Sequence, residues 1–163
     1  VCGGQPPVQT PQAGAPAVLR ADARVLALAH QGTLQYEATM GRPVGKLVNI
    51  AGRQRMLSQR MAKFYYAATL PVDTATAVAE IGKARSEFLT AMEVLRTAPQ
   101  ATARIREELS LADGQWLFFD QALPRVQSGA AATAKPLSDV FVTSENLLSV
   151  MDRVTGFYAA LPT

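Results

Sequence analysis

The chain has 163 residues, 48% of them hydrophobic and 18% charged, enough apolar material for a single domain and too much for a disordered chain. One cysteine, Cys2, excludes an internal disulfide or a cysteine-based zinc site, and one histidine, His30, excludes the paired Glu-x-x-His ligands of a di-iron bundle. The net charge of +3 is gathered around Arg53, Arg55, Arg60 and Lys63 instead of along an aromatic-studded face, so no nucleic-acid partner is indicated, and no run approaches the ~20 apolar residues of a membrane span.

Residues 1–16 (VCGGQPPVQTPQAGAP) are rich in Pro, Gly, Gln and Ala without periodic hydrophobics, and read as a flexible leader. Cys2 followed by two glycines is similar to the start of a lipid-anchored exported protein; the alternative is a free thiol in a tail. Residues 17–38 carry Leu19, Leu26 and Leu34 among alanines and admit an extra amino-terminal helix, either packed on the rest or extending from it. Gly41 and Pro43 interrupt that pattern.

A long helix is predicted over 44–69, where Leu47, Ile50, Leu57, Met61, Phe64 and Ala68 recur at spacings of three and four around a polar Gln54. Asp73 is placed to cap a helix over 73–97 whose stripe is Val78, Ile81, Phe88, Met92 and Leu95. Thr97-Ala-Pro-Gln100 fits a capping box opening a helix over 98–123, with Ile105, Leu109, Ala112, Trp116, Phe119 and Leu123 facing in and Pro124 closing it. Residues 128–135 (SGAAATAK) form a linker. A last helix over 137–161 turns Val140, Ser144, Leu147, Met151, Val154 and Tyr158 inward. These elements specify an all-α, antiparallel up-down four-helix bundle, a single domain over 17–163.

The informative segment is 49–62, NIAGRQRMLSQRMA. At about 100° per residue, Asn49, Arg53, Met56, Arg60 and Lys63 share one polar, basic side that reads as solvated, while Arg55 falls apart from them. The helix neighbours of Arg55 are Ala51, Gly52, Ser58, Gln59 and Ala62, mostly small residues. Glycine inside a helix costs roughly 1 kcal/mol relative to alanine, and close approach of a partner helix would offset it. If the partner is a second copy, a two-fold axis brings two Arg55 guanidiniums together. At about 5 Å they repel by roughly 3 kcal/mol at an effective dielectric near 20, and a small planar oxyanion between them would cancel that repulsion.

This segment resembles the conserved box of bacterial nitrate/nitrite sensor kinases, and more closely the amino-terminal domain of type IV pilus methyl-accepting chemotaxis transducers. The shared pattern is matched at Asn49, Ala51, Gly52, Arg55, Met56, Ser58 and Arg60, and the likeness extends over about 44–158, including WLFFD at 116–120 and SENLL at 144–148. The resemblance implies a periplasmic or exported four-helix sensor domain, a homodimer holding nitrate or nitrite on its axis. Carried over, the ligand residues are Arg55 and Gly52, flanked by Ala51 and Ser58. It also implies a signalling partner protein. Such receptors flank the domain with membrane spans, whereas no stretch here reaches that length. Arg53 and Gln54 follow the chemoreceptor form of the box and depart from the nitrate-kinase form.

Other features carry blander expectations. Trp116, Phe118 and Phe119 read as core, Glu107 and Glu108 beside Arg104 and Arg106 as a charged exterior, and haem ligation by His30 is disfavoured. No Ser/His/Asp set, phosphate loop or metal spacing is present, so the chain is read as non-catalytic and without a cofactor. The competing reading is a scaffold or interaction bundle that keeps the fold without a ligand.

Overall fold

The structure, a computed structural model, describes residues 15–40, 43–70, 73–126 and 134–162. The leader, Cys2, the break at Gly41 and the side chain of His30 lie outside the described residues. Among these residues five α-helices follow in order: α1 Ala15–Met40, α2 Pro43–Ala68, α3 Thr74–Thr97, α4 Ala103–Ala122 and α5 Ala134–Ala159, with a 3-10 turn at Leu123–Val126 between the last two.

Polar pairs between helices set the register. Arg53 with Glu87 and Arg60 with Glu80 run α2 against α3 in opposite senses; Arg55 with Asp152 and Gln59 with the Ser144 carbonyl do the same for α2 and α5. Glu108 with Arg153 and Gln115 with Asn146 fix α4 antiparallel to α5, and Arg85 with Asp120 and Arg96 with Asp113 fix α3 antiparallel to α4. The result is the expected up-down four-helix bundle, α2 to α5, with α1 laid antiparallel along α2. Its core contains every inward residue expected of α4 and α5. Inside α2, Gln54, Leu57, Met61, Phe64 and Tyr65 are buried, while Ile50 and Ala68 sit at the margin. Between α3 and α4, Phe88 stacks on Trp116 with ring centroids 4.5 Å apart, and the Tyr158 hydroxyl of α5 donates to the Leu95 carbonyl of α3 at 2.7 Å.

Three boundaries differ from the sequence reading, each for a local reason. The helix expected from residue 98 begins at Ala103. The Thr97 hydroxyl donates back to the Glu93 carbonyl inside α3, and Ala98–Ala101 close a turn around Pro99. Thr102 is the cap, accepting from the Ile105 amide at 3.2 Å. The last helix starts at Ala134, inside the expected linker, because Pro136 is tolerated in a first turn. The first helix is longer than expected and packs on the bundle: Leu19 is buried and Leu26 half-buried. Asp73 does cap α3, accepting from the Thr76 amide at 3.0 Å.

Phe118 is a further departure, since it stands 62% exposed while Trp116 and Phe119 enter the core. No helix among the described residues is long and apolar enough to cross a membrane.

Candidate functional site

The basic side of α2 is covered at Arg53 and Arg60 and open to water at Lys63. The Arg60 guanidinium, 6% exposed, is shared by Asp22 of α1 at 2.7 Å and Glu80 of α3 at 2.9 Å, and lies 4.7 Å from the centre of the Phe64 ring. Lys63 reaches the other oxygen of Asp22 at 2.6 Å, and Arg53 pairs with Glu87 through two nitrogens. Burial pushes the Asp22 carboxyl up, but Lys63 and Arg60 outweigh it and leave its pKa below the ordinary 3.8. Glu80 behaves alike: burial raises it, and Arg60 and Lys83 bring it below 4.5. These cations fasten α1 and α3 to α2, so the hydrated-face reading is corrected for Arg53 and Arg60, while Lys63 stays exposed as expected.

Arg55 is differently placed. It sits on the part of α2 that passes α5, and its Nη1 donates to Asp152 Oδ1 at 2.5 Å. Its side chain is 39% exposed and that of Asp152 65%. Arg53, Arg85 and Arg153 each meet a carboxylate through two nitrogens, and Arg60 and Arg96 each meet two carboxylates. Among the described residues Arg55 is held at one point. Its Nη2 lies 3.5 Å from where a Cβ on Gly52 would stand, with Thr155 Cγ2 at 3.9 Å from the same place. A methyl group at position 52 would thus stand in ordinary van der Waals contact with the guanidinium of its own helix.

Gly52 and Arg55 line a surface pocket of about 340 Å³ between α1, α2 and α5. Leu26 and Ala29 of α1 wall one side and Thr155 of α5 the other, with Asn49, Arg53 and Met56 also contributing. The pocket thus joins a cation with spare donors to an apolar wall, an arrangement that suits a small anion able to shed part of its water.

Two of the expected site residues do not reach this pocket. Ala51 and Ser58 are fully buried, and the Ser58 hydroxyl donates to the Arg55 carbonyl at 2.8 Å. Their helical phase falls between Gln54, which bonds Phe88 of α3, and Gln59, which bonds Ser144 of α5. The small residues admit helices of the same chain, and α1 covers more of α2 outside. The expected open strip along α2 for a second copy is therefore corrected to a local opening at Gly52 and Arg55.

Sequence reasoning missed Asp152, Thr155, Leu26 and Ala29. Asp152 lies 97 residues from Arg55, and no local pattern signals such a partner. Leu26 could have been found from the α1 pattern had its docking site on α2 been known.

A family model described as type IV pili methyl-accepting chemotaxis transducer N-term matches residues 36–150. No curated protein and no solved structure matches the chain.

Proposed function

The chain belongs to the type IV pili methyl-accepting chemotaxis transducer N-terminal family, and on that premise we propose that this sensor-type module works outside the cytoplasm, binding a small planar oxyanion such as nitrate or nitrite at Arg55. The observation that supports this most directly is the single-point hold on Arg55, which leaves guanidinium donors beside Gly52 in the pocket. Gly52 and Arg55 would touch the anion; Ala51 and Ser58 would act from behind by setting the backbone that carries them. A second copy would approach over the same opening and contribute its own Arg55, so binding and homodimerisation would be linked. A signalling partner would read the dimer, and an anchor at Cys2 would hold it at a membrane.

Calorimetric titration of the purified chain with nitrate and with nitrite tests the reading. Heat release, a raised melting temperature and a larger dimer fraction in sedimentation are expected at millimolar anion, because a ligand of the native state must stabilise it. Arg55→Ala should abolish all three. Absence of heat and stabilisation with the unaltered chain would remove the ligand from the proposal.

A second reading, a helical interaction module without a ligand, is favoured by the exposed Leu111 and Phe118 of α4 and Val142 of α5. Under it, Phe118→Ser would weaken partner capture while Arg55→Ala leaves capture intact.

A further inference from the structure

We propose that Asp152 is a built-in competitor for the Arg55 site, an internal carboxylate that an incoming anion must displace. The inference rests on the reading that Arg55 binds an oxyanion. A carboxylate is itself a planar oxyanion carrying one negative charge, the chemistry a guanidinium fork accepts. Asp152 presents that group from α5, on an exposed side chain, to Nη1 of Arg55 at 2.5 Å. Among the described residues no other ion pair or hydrogen bond holds either group. Its loss therefore leaves no buried charge behind.

The consequence is a threshold on affinity. Exposed ion pairs are weak, so Asp152 occupies Arg55 for a large part of the time without sealing it. A site that is only fractionally free binds with its affinity reduced by that fraction. From the usual strength of exposed pairs, the reduction is about two- to fivefold. Arg60 could not be regulated in this way, because its two carboxylates enclose a cation that water hardly reaches.

The experiment is nitrate titration by calorimetry on the full chain and on Asp152→Asn, Asp152→Ala and Glu145→Gln. Glu145 is exposed on the same helix, and its neutralisation changes the net charge by the same amount. Both Asp152 variants should bind nitrate about two- to fivefold more tightly than the unaltered chain, and Glu145→Gln should bind as it does. Equal or weaker binding by both Asp152 variants, with nitrate bound by the unaltered chain, overturns the competitor and leaves the anion site standing. A matching gain in Glu145→Gln also overturns it, since the effect would then be net charge. If no chain binds nitrate, the reading of Arg55 as a nitrate site fails and the competitor falls with it.

Discussion

A guanidinium buried to 6% exposure and shared by two carboxylates cannot be removed as cheaply as one at the surface. Arg60→Met should lower unfolding free energy by about 3 kcal/mol, the lower end of the range for breaking a buried pair, since both carboxylates keep some access to water. Urea unfolding measures it, and a loss under about 1 kcal/mol would show that solvent replaces the arginine. Gln54 presents the opposite case. Its Nε2 donates to the Phe88 carbonyl at 2.8 Å, but its Oε1 is buried without a partner among the described residues. One net hydrogen bond is worth about 1 kcal/mol and one stranded acceptor costs about 1–3 kcal/mol, so Gln54→Met should leave the melting temperature unchanged or raise it. A clear drop would mean the amide oxygen is satisfied after all. The residues that sequence periodicity misjudges are of this kind. Arg60 lies on a polar side of α2, and only the carboxylates that α1 and α3 bring to it turn that position into an interior.

Among the elements, α1 is held least. Among its described side chains, the grip includes Leu19, the margin around Leu26, and the carboxylate of Asp22 against Arg60 and Lys63. Asp22 and Glu80 titrate below their ordinary values in the folded chain, so their contribution is complete above those values and disappears as pH falls through the lowered ones. Hydrogen exchange should therefore show α1 amides opening as the solution is acidified below about pH 4, before those of α4. Protection that persists in α1 would mean the apolar contacts suffice. Leu19→Ala should release the same helix at neutral pH, at a local cost of about 2–3 kcal/mol, seen as proteolysis within α1 while the remaining helices stay resistant. The four bundle helices were legible because each has a three-four apolar spacing that needs no knowledge of its partners. The start of α4 was not: both Thr97 and Thr102 are suitable caps, and the choice depends on the turn around Pro99 and on the Thr97 hydroxyl bonding back into α3. Arg55 and Gly52 were legible as a pair from the box, whereas the pocket was not, since two of its three walls come from α1 and α5.

For the whole molecule, α2 to α5 close a square on their own, with α2 meeting α3 and α5 and α4 meeting the same two helices. A chain beginning at Pro43 should still unfold in one cooperative step, at a lower temperature and without a pocket wall from Leu26 and Ala29. A broad, non-cooperative melt would instead make α1 an integral part of the fold. The side between α3 and α4 is built differently from the others: large rings fill its middle and the Arg85–Asp120 and Arg96–Asp113 pairs line its edge.

That side contains the sequence's one indole, Trp116, nearly buried and stacked on Phe88. The protein thus carries its own fluorophore at the seam between two helices, with no competing tryptophan signal. Its emission will be blue-shifted while the rings are stacked and will move to longer wavelength whenever α3 and α4 part. Ordinary steady-state fluorescence, without any label, can follow how the seam responds to each ligand offered.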